Sequence, residues 1–164
     1  MSTTTLISVE KYLRRTGKPY CEYIDGLLQP KAKPTTLHAW IQSVLILLIS
    51  KQNKIALAEL TVSVSSTTFL IPDVAVVRNL QFPYPSDPVE LCVEILSPED
   101  RLGATLAKCE QYHAWGVPMC WVIDPVKRVA WEYPMGAEPS RAVEMLRAGH
   151  LAVSLLDLFS GLDQ

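Results

Sequence analysis

No two of the four cysteines, at positions 21, 92, 109 and 120, form a C-x-x-C pair, and none clusters with histidine at zinc-ligand spacing. A thiolate zinc centre is thereby excluded, and the cysteines read as small apolar core residues of a reducing cytoplasm. A global basic field is also missing: 15 lysines and arginines against 17 aspartates and glutamates leave a formal net charge of −2. Any contact with nucleic acid must therefore rest on a local patch. The longest apolar-rich run, V-L-I-L-L-I from Val44 to Ile49, is far too short to span a bilayer, so no membrane association is expected. The N-terminal M-S-T-T-T-L-I-S-V-E has neither a basic region nor a long apolar stretch, so no secretory leader is expected. Internal repeats and low-complexity segments are absent as well.

What is present fits an ordinary globular chain. With 164 residues, 49% hydrophobic and 20% charged, the sequence is expected to form one domain over residues 1–164, with disorder limited to short ends. Ser8 is placed to cap a short helix over residues 9–15, and Asp25-Gly26 marks a β-hairpin that puts Glu22 on its first strand. The best helical pattern runs from Thr35 or Thr36 to about Lys51, with Leu37, Ile41, Val44, Leu45, Leu48 and Ile49 on one face. Residues 55–65 and 67–77 each read as a strand, the second with Pro72 at its middle, which predicts an edge or bulge that re-aims Asp73. Residues 89–96 read as a strand buried on both faces, 100–115 as a helix, and 119–123 as the next strand, together a βαβ crossover. A hairpin partner over 128–133, a short strand near 150–153 and a last helical turn over 155–159 complete the chain.

Two acids stand out in these apolar runs. Asp73 heads V-A-V-V after Pro72, and Glu94 sits inside V-E-L-C-V-E-I-L, where an unpaired carboxylate costs several kcal/mol. Were the two within about 4 Å, their repulsion at an effective dielectric of 20 would be roughly 4 kcal/mol, and a shared cation or proton would relieve it. Lys108 lies on the crossover helix, with Tyr112 one turn later on the same face. Two acids on successive strands and an ammonium nearby suit metal-assisted attack on a phosphodiester. Magnesium takes a few carboxylates and keeps water, so Asp73, Glu94 and the backbone carbonyl of Ile95 form a candidate ligand set, with Lys108 to orient or deprotonate the attacking water. Each residue also has a plainer reading: a structural aspartate in a turn, a glutamate on a solvated strand face, a solvated lysine, and a cross-strand pair for Glu22. His38, in the first turn of the long apolar helix, is a weak substrate-contact candidate; a hydrogen-bonded, partly buried histidine is the preferred reading. The basic excess in residues 1–35, with Lys11, Arg14, Arg15, Lys18, Lys31 and Lys33, reads first as a solvated face and second as the only phosphate-tracking patch.

Taken in order, V-E-K-Y-L, Y-I-D-G, the helix with His38, I-P-D-V-A-V-V, V-E-I-L-S-P, K-C-E-Q-Y and G-V-P-M-C-W-V-I-D-P resemble the Uma-type family of small bacterial endonucleases, within the PD-(D/E)xK restriction-endonuclease-like superfamily. The resemblance covers residues 8–160 and implies an α/β fold: a mixed central β-sheet flanked by α-helices, with an N-terminal hairpin. It implies hydrolysis of nucleic acid, most simply DNA, with Mg2+ as cofactor and Mn2+ as a substitute. By position, Asp73 and Glu94 correspond to the two superfamily acids, Glu22 to the family's additional acid, and Lys108 to its relocated lysine, since Leu96 occupies the usual lysine position. Two positions depart from the family pattern: Ala104 where an acid is common, and Leu70 where a basic residue is common. The expectation is a cytoplasmic metal-dependent nuclease with catalytic Glu22, Asp73, Glu94 and Lys108, substrate contacts from Tyr112 and His38, and homodimerisation permitted. The alternatives are a catalytically inactive nuclease-fold module that binds nucleic acid or a protein partner, and a structural reading in which the acids pair with internal bases.

Overall fold

The structure, a computed structural model, describes residues 5–164. The N-terminal end expected to be flexible lies largely outside the described residues. Ser8 accepts a hydrogen bond from the Lys11 N–H and caps helix α1 (Val9–Leu13). Strands β1 (Cys21–Ile24) and β2 (Leu27–Pro30) form the expected hairpin, and Asp25 and Gly26 both take the left-handed φ that its tight turn requires. Thr35 caps α2 (Thr36–Ser50) by accepting from the His38 N–H, and His38, Ile41, Leu45 and Ile49 are its buried residues, three and four positions apart.

The next two predicted strands are each divided. Residues 55–65 form β3 (Ile55–Ala58) and β4 (Val62–Ser65), with Glu59 between them in the left-handed region; residues 67–77 form β5 (Thr68–Leu70) and β6 (Val74–Val77). β3 pairs with β6 and β4 pairs with β5, so both segments pass from one sheet to another midway. Pro72 cannot donate to a ladder and stands at the second crossing, which leaves Asp73 at the corner between the sheets.

The remaining elements are β7 (Leu91–Ile95), α3 (Leu102–Trp115), β8 (Met119–Asp124), β9 (Val129–Pro134), β10 (Ser140–Arg141), β11 (Met145–Ala148), β12 (Leu151–Ser154) and α4 (Leu155–Phe159). A 3-10 turn, Ser160–Asp163, follows α4 and is tied down by the Arg128–Asp163 ion pair at 2.6 Å, so the C-terminal end is structured rather than loose. The two-residue β10 and the β11 strand were not expected from the sequence; β11 pairs with β12 in a separate hairpin. No helix among the described residues is long and apolar enough to cross a membrane.

The large sheet has the order β10-β9-β8-β7-β6-β3, and the small one β2-β1-β5-β4. β7 and β8 run parallel across the α3 crossover, while the other pairs are antiparallel, which makes the large sheet mixed as expected. Its two faces build two cores by strand alternation. Val74, Val76, Leu91, Val93, Ile95, Trp121 and Ile123 pack with Ile41, Leu45 and Ile49 of α2. Ala75, Val77, Cys92, Cys120 and Val122 pack with Cys109 and Tyr112 of α3. Glu94 shares its parity with Cys92, so strand geometry turns it toward α3. All four cysteines are buried and free. A third cluster of Tyr12, Tyr23 and Phe69, with Tyr12 and Tyr23 centroids 5.1 Å apart, fastens α1 to the small sheet.

Candidate active site

The corner at Asp73 is held through its backbone before its side chain acts. The Asp73 carbonyl accepts from Gln42 Nε2 at 2.7 Å and from the Glu59 N–H at 3.2 Å, so α2 and the β3–β4 corner both fix it. Its carboxylate is buried but well supplied with donors. Oδ2 accepts from the Ile95 N–H at 2.7 Å and lies 3.3 Å from His38 Nε2; Oδ1 lies 2.8 Å from Lys31 Nζ. Burial pushes the Asp73 carboxyl up, yet the His38 hydrogen bond and the Lys31 charge outweigh it and hold the group well below the usual carboxylate range.

Glu94 meets a different environment on the α3 side of β7. Lys108 Nζ lies 2.8 Å from Glu94 Oε1 and 2.5 Å from Glu22 Oε1, and the Tyr112 hydroxyl donates to Glu94 Oε1 at 2.7 Å. Because Lys108 and Tyr112 are four residues apart, a single face of α3 presents both to the same carboxylate. Glu22 is oriented in turn by the Ile71 N–H, which donates to Oε1 at 2.9 Å. Burial raises Glu94 above the usual range against the pull of Lys108, and the nearby Asp73 charge adds to the rise. Burial pulls the Lys108 ammonium down, but Glu94 and Glu22 prevail and raise it, so it stays protonated. Burial and Glu94 also push the Tyr112 phenol well up.

One cleft of about 450 Å³ gathers Glu22, His38, Asp73, Glu94, Ile95 and Lys108. These residues come from β1, α2, the sheet corner, β7 and α3, elements that only the tertiary fold brings together. Tyr112 differs from expectation. It is fully buried behind Glu94 and outside the cleft lining, so it braces that carboxylate and does not face a substrate. His38 is bonded to Asp73 and buried, while its Nδ1 has no hydrogen-bond partner among the described residues. His113 lies outside this cleft, with Nδ1 2.9 Å from the Val117 carbonyl oxygen. Two site residues escaped the sequence reading: Lys31, counted there among solvated basic residues, and Gln42. The available signals were that Lys31 directly follows the hairpin carrying Glu22, and that Gln42 lies one turn beyond His38. Ala104 and Leu70 both line the cleft, so the two departures from the family pattern fall at the site itself.

Among the described residues, no three histidine, cysteine, aspartate or glutamate side chains converge as a metal cage. The donor chemistry nevertheless fits a hard cation that retains water: the Asp73 and Glu94 carboxylates and Ile95 border one cleft whose described lining holds no cysteine or methionine. The positive charges now opposite those acids are the ammonium groups of Lys31 and Lys108.

Among solved structures, a crystal structure of "a putative nuclease belonging to DUF820" from Anabaena variabilis matches this fold with a TM-score of 0.77 and 24% sequence identity, over 95% of this chain and 99% of that one. No curated protein matches the chain. The profile of the Uma2 family, described as "Putative restriction endonuclease", matches residues 9–162. Because that match takes in the hairpin, the Asp73 corner, β7 and α3 together, the chain belongs to the Uma2 family.

Proposed function

We propose that this chain, acting as one domain, is a magnesium-dependent endonuclease of the bacterial cytoplasm that hydrolyses phosphodiester bonds in DNA. The carrying observation is the single cleft that collects Glu22, Asp73, Glu94 and Lys108 from separate elements. In this reading Asp73 and Glu94 hold the metal, with the Ile95 carbonyl as a further ligand. When bound, the ion supplies positive charge to the phosphoryl oxygens and acidifies a coordinated water. Lys108, kept protonated by Glu94 and Glu22, donates from Nζ to the attacking water or to a phosphate oxygen and offsets developing negative charge. This narrows its role: an ammonium held by two carboxylates is a poor proton acceptor, so Lys108 orients and stabilises. Glu22, fixed by the Ile71 N–H, sets where that ammonium points. The uncharged alternatives at the cleft, Ala104 and Leu70, leave the acids and lysines as its working groups. Two copies would present two such sites to the two strands of a duplex.

A second reading, a nuclease-fold module that binds without cutting, is favoured by one observation: each acid already has an internal lysine partner. A plasmid assay separates the two. Wild-type protein with Mg2+ or Mn2+ is expected to nick or linearise plasmid, EDTA is expected to stop it, and Asp73→Ala and Lys108→Ala are each expected to cut at least about a hundredfold more slowly. Equal cutting by those variants would overturn the assignment, and stable DNA complexes without cleavage under either metal would establish the second reading.

A further inference from the structure

Lys31 is not accounted for by the catalytic roles above. Its Nζ is held by two oxygens, Asp73 Oδ1 at 2.8 Å and the Ile71 carbonyl at 2.6 Å, and is mostly buried. The other Asp73 oxygen is taken by the Ile95 N–H, a main-chain donor that cannot swing away, and by His38. An incoming cation must therefore use Oδ1, where the Lys31 ammonium stands. A carboxylate oxygen and a main-chain carbonyl are also the ligand types that a hard divalent ion takes. Sharing that oxygen would set the two cations against each other in a partly desolvated cleft, and their repulsion favours exchange over sharing.

The attachments of the two lysines differ. Lys108 rises from the middle of α3 and is fastened between two carboxylates. Lys31 belongs to the irregular segment between β2 and α2 and carries its charge on a flexible four-carbon stem. It can leave Oδ1 without any helix moving. Resting on the metal reading of this site, we propose that Lys31 is a tethered counter-cation that occupies the metal position on Asp73 and must be displaced when a divalent ion binds. In the metal-free protein it neutralises Asp73 and keeps the corner closed; on loading it yields the oxygen, so it lowers the affinity for metal.

The test reads metal binding directly, through titration calorimetry and the loss of free Mn2+ signal in electron paramagnetic resonance, with Mn2+ alone as the probe. Lys31→Met is expected to bind Mn2+ about tenfold more tightly than wild type, since one charge-assisted competitor is gone. Lys31→Gln, whose amide can still donate to the Ile71 carbonyl, is expected to tighten binding similarly and guards against loss of the fold. Lys31→Arg, which restores the cation, is expected to return affinity toward wild type. Unchanged or weaker Mn2+ binding by folded Lys31→Met and Lys31→Gln would overturn the proposal while leaving the metal reading intact. Absence of Mn2+ binding by wild type and all three variants would defeat both.

Discussion

Asp73 and Glu94 border one cleft, yet their surroundings move their protons in opposite directions. Both are buried, so burial alone cannot explain the difference. Asp73 spreads its charge over three donors on two oxygens: Lys31 at Oδ1, His38 and the Ile95 N–H at Oδ2. Glu94 concentrates its partners on Oε1, and it shares one of them, Lys108, with Glu22. The lesson concerns the number and ownership of donors rather than depth. An acid at a sheet corner can reach an unpaired strand N–H, whereas an acid within a buried strand depends on what a neighbouring helix sends toward it.

The largest expected effect breaks the Glu94 half. Lys108→Met leaves Glu22 and Glu94 facing each other in a buried site without a counter-charge, and is expected to cost about 3–5 kcal/mol in urea unfolding. Adding Glu22→Gln should recover part of that loss. The same Met substitution at Lys31 should cost less, since Asp73 keeps His38 and the Ile95 N–H. Equal losses at the two lysines would remove the distinction between the two acids.

Tyr112→Phe is a smaller cut on the same side. It removes one donor to a buried carboxylate and is expected to cost about 1–3 kcal/mol while raising Glu94 further. Titration of Glu94 by 13C NMR in both proteins checks the direction. An unchanged Glu94 would mean that the phenol contributes packing alone.

The finest discrimination is in pH. Asp73 is depressed on folding, so its contribution to stability is present above its unfolded value near 4 and is lost as pH falls. Glu94 is raised, so its contribution is present below its unfolded value and is lost as pH rises through the folded one. Stability of wild type relative to Asp73→Asn should therefore fall toward acid, and relative to Glu94→Gln should fall toward neutral pH. Slopes of the same sign in urea titrations from pH 3 to 7 would contradict the contrast.

The fold was legible wherever pattern and local chemistry agreed. The α2 stripe, the Asp25-Gly26 turn and the β7–α3–β8 crossover all have strong local periodicity or turn residues. The two strand segments that change sheets were not legible as such: the apolar phase shifts from Ile55 and Leu57 to Leu60, Val62 and Val64 across Glu59, and Pro72 interrupts an apolar run, but a shift or a proline marks a bulge as readily as a change of partner strand. The acids and Lys108 could be picked out as ionisable groups in apolar surroundings and in family register. Lys31 could not, since a lysine among exposed basic residues looks the same in sequence whether it points to water or to a buried aspartate. Tyr112 was placed on the correct helix face, but the depth of that face depends on how closely α3 sits on the sheet.

The corner described above also has a mechanical consequence. Glu22 belongs to the small sheet, Glu94 to the large one, and Lys108 comes from the helix lying on the large sheet, so the Glu22–Lys108–Glu94 bridge crosses the seam between two layers. Ile71, between β5 and β6, is bound twice by the hairpin side, donating its N–H to Glu22 and accepting from Lys31 at its carbonyl. The charged groups of the cleft thus act as fasteners of the hairpin sheet as well as reagents. An anion that drew Lys108 toward itself would also loosen the tie between Glu22 and Glu94, so the charge balance of the cleft and the packing of the two sheets are coupled through one ammonium.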